Sequence, residues 1–579
     1  MEHSNQLNKT LIQSCVESGA YAALLNGNDN HDNGLKLVMD ILPYTRDEEL
    51  IKSIISSALG PDYKGNTLNE VPQLIQWCAD NATNDFLDTS SNRKSMAVQC
   101  IEVINGLNIE LFHDSYLTPY ITFREADCGP KTYLLNGRTA RTKLRGIIYR
   151  VMDKSITAQT FAEVIDILSA RALFDNEEKE VFLRTARHKE SVIINLADDQ
   201  GRVVIIDKDG FTVSKESPVP FVCSPNMEAL PVPTEAGYEV FDELKNLFGL
   251  EDQNFTRVLA FMVSTLKPEE PYLLLIVQGE QGSGKSELSR GIKMTCDPSK
   301  APKSRLPDNP ADLSILAKDM QILVFDNLSG MSGKMSDALC ALLTGSANAK
   351  RRLYTNDELH ISYEAAPVII NGIAGIANRP DLLDRSISIN LPPMPSGQRK
   401  TEAELRSNLD KLRPRLLGAL FGLTSEALKN FDKTETPTSV RMADIGKWLI
   451  AAEPATDLAA GSFLAAIEDS QNEIIEESMF GNSIVIALIN YLPAEGYDGK
   501  LGRLFHDLKA MQERYDPTFP KTAAHLSKAL KRLRPAMKKI GIHCEFGTRD
   551  NKGQNIKIWL ENREWPERDP ARLNIPVDI

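Results

Sequence analysis

The stretch from Tyr272 to Ser286 constrains the fold more than any other part of the chain. It reads Tyr-Leu-Leu-Leu-Ile-Val-Gln-Gly over 272–279, then Gly279-Glu280-Gln281-Gly282-Ser283-Gly284-Lys285-Ser286, then a helix-patterned segment from Glu287 to Met294. An apolar run without alternation fits a strand buried on both faces, which a parallel sheet covered by helices provides. The glycines let the backbone wrap a phosphate chain with its N–H groups pointing inward. Lys285 is placed to reach the β- and γ-phosphates, and the Ser286 hydroxyl to hold Mg²⁺. The expectation is an α/β core that takes ATP and Mg²⁺.

Two further apolar runs end in polar residues. Gln321–Phe325 ends at Asp326-Asn327, where an acid beside the phosphate loop serves as a second Mg²⁺ ligand. Many ATPases place a glutamate at the position of Asn327. The general base therefore stays open between Asp326 and an acid from a neighbouring subunit. Pro367–Asn371 ends in an amide that can hydrogen-bond the attacking water or the γ-phosphate, or simply make a turn with Gly372. Then Asn378-Arg379-Pro380-Asp381-Leu-Leu-Asp384-Arg385-Ser386 leads into Ile387–Leu391. A permanently charged arginine can stabilise a transferring phosphoryl group across a subunit boundary. Arg385 is the first candidate and Arg379 the second, against a structural ion pair of either with Asp381 or Asp384.

With these four elements in order, residues 235–395 resemble the AAA+ ATPases, and within them the superfamily 3 helicases and primase–helicases of viruses, phages and plasmids. The resemblance rests on Gly-Glu-Gln-Gly-Ser-Gly-Lys-Ser (279–286), Phe-Asp-Asn-Leu-Ser-Gly (325–330), Ile-Ile-Asn-Gly-Ile (369–373) and Arg-Pro-Asp-Leu-Leu-Asp-Arg (379–385). More loosely, residues 100–560 look like the replicative ATP-binding proteins of bacterial mobile elements. The resemblance implies a homo-hexameric ring with ATP between subunits and single-stranded DNA in a central pore. It also implies a DNA-touching β-hairpin ahead of the Asn371 strand. Lys350–Tyr363 fits two arms around an Asn356-Asp357 turn. Lys350, Arg351 and Arg352 could meet phosphates there, and Tyr354 could stack on a base. The polar or acidic tip departs from the Lys or His that related helicases often carry. No carboxylate pair for priming stands out in residues 1–112, so a primase would be a separate partner.

The rest of the chain divides by pattern. Residues 1–112 are expected to be helical, with apolar spacing in Glu49–Leu59 and Val71–Cys78. Residues 113–222 mix a helix at Ala158–Leu173 with strand-like runs at Ser191–Leu196, Val203–Ile206 and Phe211–Val213. The Pro-rich passage Ser217–Pro233 reads as a linker. The ATPase core follows over 223–395, then a helical lid over 396–482, a basic module over 483–562 and an extended tail over 563–579. In the basic module, helices are expected at Ser483–Leu492, Leu501–Met511 and Thr522–Ile540. A hairpin turning at Asp550-Asn-Lys-Gly553 would follow them, which together suggest a winged helix-turn-helix on duplex DNA. Lys528, Lys531, Arg532, Lys538 and Lys539 line the long helix, with Arg549 and Lys552 on the wing. The bland alternative is a solvated helix packed on the ring.

Net charge is −13, yet Lys521–Lys557 holds ten Lys/Arg against two acids. A phosphate backbone meets that local face, not the overall charge. No apolar run approaches a membrane span, and the eight scattered cysteines fit a reducing, cytoplasmic setting. The leading expectation is an ATP-driven DNA helicase or translocase for replication of a mobile element. The alternative is a DNA-binding ATP switch, an initiator or defence-type sensor. A nucleotide kinase would leave the basic module without a purpose.

Overall fold

The computed structural model describes residues 21, 33, 36–38, 41, 48–58, 68–69, 71–73, 75–76, 94–125, 127–351, 359–373, 375–377, 379–393, 400–493, 495–511, 516, 519–551 and 553–561. The chain divides into two units at Ile101/Glu102. In the first, the helix Glu48–Ala58 buries Ile51 and Ile55 with Leu37, Val38, Ile41 and Val71. The helix Met96–Asn105 spans the division. The boundary expected at 112/113 falls inside a strand, because Ile109–His113 pairs along its length with the strand after it. The tail 563–579 lies outside the described residues.

The second unit opens with an antiparallel sheet of β1 (Ile109–His113), β2 (Pro119–Phe123) and β3 (Lys131–Leu134). Two helices follow, α1 (Arg138–Met152) and Ala158–Phe174. Next comes a meander of β4 (Thr185–His188), β5 (Ser191–Asn195), β6 (Val203–Asp207) and β7 (Gly210–Ser214). Its β-branched run is buried on both sides. Val192 and Ile194 join the large core, while Ile193 joins a small one with Ala186, Val203 and Phe221. The passage expected as a linker is tied down instead. Phe221 pairs with Phe182, Val222 with Thr132 and Met227 with Ser299, and Leu230 is buried. Apolar side chains between its prolines find cores on either side.

The central sheet is built from β8 (Leu274–Gly279), β9 (Leu323–Leu328), β12 (Val368–Gly372) and β13 (Ser386–Leu391). Between β9 and β12 in the chain lie β10 (Ser346–Arg351) and β11 (Leu359–Glu364), a separate antiparallel pair. The sheet order is β13-β8-β12-β9, and every pairing is parallel. Side chains alternate between faces. Leu273, Leu275, Val277, Val324, Ile369 and Ile387 enter one core; Leu274, Ile276, Leu323, Phe325, Val368 and Ile370 enter the other.

The first core is closed by α2 (Lys285–Cys296), the helices Val240–Phe248, Asp252–Thr265 and Ala443–Ala452, and the long α3 (Glu402–Asn430). The second is closed by Ala311–Ala317, Gly333–Thr344 and the carboxy-terminal elements. Helix α4 (Ser462–Phe480) serves both. Phe463 and Ile467 lie in the first core; Ile474, Ile475 and Met479 lie in the second. Its middle is clamped on two sides: the Ser388 N–H on the edge strand donates to Ser470 Oγ, the Gln471 amide donates to the Asp384 carbonyl just before that strand, and Arg257 on the helix Asp252–Thr265 forks onto Glu473 at 2.8 Å.

Candidate functional site

The loop between β8 and α2 runs through three glycines at positive φ: Gly279 at 149°, Gly282 at 82° and Gly284 at 85°. Side chains rarely tolerate such angles. At Gly279 a Cβ would also lie 2.5 Å from the Leu391 carbonyl oxygen and 2.8 Å from Ser283 Oγ. Gly284 is the N-cap of α2 and offers no capping side chain, so none occupies the first amides of the helix, which point back toward the loop. Glu280 and Gln281 are exposed, and Ser283 is buried. Lys285 lies back along the loop, its Nζ donating to the carbonyls of Gly279 (2.7 Å) and Glu280 (2.6 Å). Partial burial lowers its pKa, against the attraction of Asp326.

Ser286 Oγ donates to Asp326 Oδ1 at 2.7 Å, and Lys303 Nζ meets Oδ2 at 2.7 Å. Burial alone would raise the Asp326 pKa; Lys303 and Ser286 outweigh it and hold the carboxyl below its ordinary value. The strand expected to stop at Phe325 continues to Leu328, so Asp326 and Asn327 lie within β9. Asn327 is left-handed at φ 60°. Its N–H donates 2.9 Å to Asn371 Oδ1, and the Asn371 amide donates 3.1 Å to Ser289 Oγ on α2. Asn371 is buried at 1% exposure. It therefore ties β9, β12 and α2 together, at the irregularity in register between Ile370 and Gly372. Hydroxyl and carboxylate oxygens are the donors Mg²⁺ prefers, so Ser286 and Asp326 fit that ion.

The two candidate arginines differ. Arg379 donates to the Gly333 carbonyl and pairs with Asp337, both at 2.6 Å. Neither acid expected to pair with Arg385 does so. Asp381 meets Arg441, and Asp384 meets Lys539 and Arg441. Among the described residues, Arg385 donates only to the Asp381 backbone carbonyl, and its buried Nε has no partner there.

At its far end α2 is locked by a buried cluster. Asp297 accepts from Lys293 and from Arg184 Nε at 3.0 Å, and from the Ile322 N–H at 3.0 Å. Arg184 comes from the meander region and also donates to the carbonyls of Asn195, Glu228 and Pro298. Burial opposes ionisation of Asp297, but the two cations outweigh it and depress its pKa. For Lys293 burial, reinforced by Arg184, outweighs the attraction of Asp297 and lowers the ammonium pKa. One carboxylate shared by two cations accounts for both directions.

In the β10–β11 hairpin Lys350 pairs with His360 and Arg351 with Leu359 by backbone register. Arg352, Tyr354 and the tip lie outside the described residues. The carboxy-terminal elements run helix Ser483–Tyr491, β14 (Tyr497–Lys500), helix Leu501–Ala510, α5 (Ala523–Lys539), β15 (Ile542–Asp550) and β16 (Gly553–Leu560). Strand β14, not expected from Tyr-Asp-Gly-Lys, completes a sheet of order β14-β16-β15. Lys528, Lys531, Arg532, Lys538 and Lys539 are exposed on α5, which buries Leu526, Leu530, Leu533 and Met537. Lys531 sits over the Phe546 ring, and Lys539 reaches Asp384 at 3.3 Å. Lys539 is thus partly a tie to the central sheet. Arg549 is exposed on β15, and Lys552 lies outside the described residues.

Sequence reasoning missed Lys303 and Arg184. Neither sits in a motif; Lys303 directly precedes Ser304, whose isolated parallel bridge to Phe325 carries it beside β9. No helix among the described residues is long and apolar enough to cross a membrane.

Residues 242–473 match the family model described as actinomycete integrative conjugative element replication protein. Residues 483–568 match that of the AICE RepA C-terminal domain, beginning at the first residue of the helix Ser483–Tyr491. No curated protein matches the chain. Among solved structures, the A form apo structure of the NrS-1 C terminal region is 13% identical, covering 79% of this chain and 98% of that one, with TM-score 0.34. The apo structure of the NrS-1 C terminal region (305–718) is 11% identical, covering 81% and 100%, with TM-score 0.37.

Proposed function

We propose that this chain is a replication protein of an integrative conjugative element, an AAA+ P-loop ATPase of the superfamily 3 helicase type that moves on DNA. The observation that carries the reading is the 2.7 Å bond from Ser286 to Asp326 beneath a loop of three positive-φ glycines. The order of the parallel sheet and the two family models support it. Amides of 279–286 and the start of α2 would hold the phosphates. Mg²⁺, when bound, would supply charge neutralisation between them from a place on Ser286 and Asp326. Lys285 reaches a phosphate by leaving the Gly279 and Glu280 carbonyls. Asn371 keeps Asn327 and Ser289 in place around the reacting end. Arg385, paired with no carboxylate among the described residues, is the better candidate for a finger reaching a neighbouring subunit of a homo-hexamer.

DNA enters this reading at two places. A single strand would meet the β10–β11 hairpin, and a duplex the basic face of α5 in a winged helix. One observation favours the second reading, an ATP switch. Asn327 occupies the position after Asp326, and no second carboxylate among the described residues contacts Asp326 or Ser286. Such a site suits slow hydrolysis that sets assembly or DNA affinity.

The test is the ATPase rate with and without single-stranded DNA, on wild type and Lys285→Ala. A motor gives strong stimulation that the variant loses while its fold stays intact. DNA-indifferent, slow hydrolysis favours the switch, and full activity in Lys285→Ala removes the site assignment.

A further inference from the structure

We infer that the solvent face of α1 is a second, sequence-independent track for single-stranded DNA, separate from the hairpin and the α5 module. This deepens the reading of the chain as a DNA-acting protein and rests on it. In an acidic protein, residues 138–154 carry Arg138, Arg141, Lys143, Arg145, Arg150 and Lys154 against Asp153 alone. An ordinary solvated helix face mixes both signs at i,i+4 spacing. Here only Lys143 has a carboxylate partner among the described residues, Glu125 at 2.5 Å. Cations in the first turn also oppose the helix dipole, and α1 has neither an acid in that turn nor a capping side chain. Intrahelical stability does not explain such a placement; an anion lying along the helix does.

The geometry is ordered along one stripe. Ala140, Leu144 and Ile148 are buried, which leaves Arg138, Thr142, Arg145 and Tyr149 exposed at i, i+4, i+7 and i+11, with Arg141 half-buried beside them at i+3. Arg141 and Arg145 are both held over the Phe161 ring, with Cζ at 5.3 and 5.4 Å from its centroid. Arg145 is fixed further by a 2.9 Å bond to the Ile156 carbonyl. Two guanidinium groups gathered on one ring repel each other unless an anion lies between them. Gly146 lies beside the stripe with open space above it. Tyr149 is 55% exposed at the end of the stripe. From Arg138 to Arg145 is about 10 Å along the axis, and to Tyr149 about 16 Å. That span suits two or three consecutive phosphates followed by one base stacked on Tyr149. Stacking needs an unpaired base, so the occupant is a single strand and not a duplex.

The experiment titrates the full chain against fluorescein-labelled oligothymidylate over a salt series, with a duplex of equal length as control. Each phosphate contact on a single strand contributes about 0.7 to the slope of log affinity against log salt. Arg138→Gln/Arg141→Gln/Arg145→Gln should therefore lower the slope by about 2 and leave basal ATPase unchanged. Tyr149→Ala should weaken oligothymidylate binding about tenfold, and Tyr149→Phe should bind like wild type. Unchanged affinity and slope in the triple variant overturn the track. So does a loss seen only with duplex, or Tyr149→Phe failing as Tyr149→Ala does. If wild type binds no oligothymidylate at all, the DNA-motor reading falls as well, which separates the two failures.

Discussion

The cluster of Arg184, Lys293 and Asp297 makes a prediction whose direction depends on which charge is removed. Their exposures are 1%, 0% and 2%, so water screens none of them. Asp297→Ala leaves two buried cations without a counter-charge, at about 3–5 kcal/mol. It also strands the Ile322 N–H at the start of β9, at about 1–3 kcal/mol. The total is about 4–8 kcal/mol. With a urea slope of about 3 kcal/mol/M, the midpoint should fall by roughly 1.3–2.7 M. Lys293→Met removes the surplus cation, keeps the apolar length of the side chain and leaves Asp297 with Arg184. Its cost should lie within about 1 kcal/mol of zero. Urea unfolding followed by tryptophan fluorescence reads both, since Trp448 is buried in the same core as Cys296. Equal losses from the two variants would refute the argument, because packing rather than charge balance would then set the cost. Because the folded pKa of Asp297 is depressed, its stabilisation is present above the ordinary carboxylate range. It is lost as pH falls through the lower folded value.

Three further outcomes concern the nucleotide site. Arg385→Ala should cut hydrolysis about 10³-fold. Mixing it with Lys285→Ala chains should restore part of the rate, and no recovery in any mixture counts against shared sites. Lys303→Ala removes the first cation beside Asp326, so the acid limb of the hydrolysis profile should move to higher pH; a limb that stays put shows that Lys303 does not set the carboxyl. Asn371→Ala should lower kcat about tenfold with KM nearly unchanged, because it releases Asn327 from its left-handed pose and frees Ser289. A raised KM with normal kcat would assign Asn371 to ATP binding instead.

Three strands of the parallel sheet, β8, β9 and β12, were legible because each opens on an unbroken apolar run, the mark that burial on both faces leaves in a single stretch of sequence; β13 alternates Ser with Ile instead. The glycine loop was legible for a similar reason: backbone conformation at Gly279, Gly282 and Gly284 is a local demand. The limits lie where distance along the chain enters. Arg184 meets Asp297 across 113 positions and Lys303 meets Asp326 from beside an isolated bridge, Ser304 to Phe325, so neither contact has a periodicity to read. Strand β14 was invisible because Tyr-Asp-Gly-Lys has no strand propensity; its pairing with β16 supplies what its composition lacks. The Pro-rich passage 217–233 misled through composition, since Phe221 and Leu230 bury themselves between turns. The pairing of Asp381 and Asp384 with Arg441 and Lys539, rather than with Arg385, comes from residues 57 or more positions away and could only be seen in three dimensions.

Helix α4 has its first turns in one core and its last in the other, and its middle is pinned to the edge strand by Ser470 and Gln471 and to the helix Asp252–Thr265 by Glu473. Nineteen residues make a rod of about 28 Å. A rod held at its centre works as a balance beam. A tilt imposed on Phe463 and Ile467 reappears, reversed, at Ile475 and Met479, beneath the helix that bears Lys528 and Arg532. Leverage of this kind needs no flexible joint: a shift among the helices of the first core would be felt beneath α5 without any hinge between them.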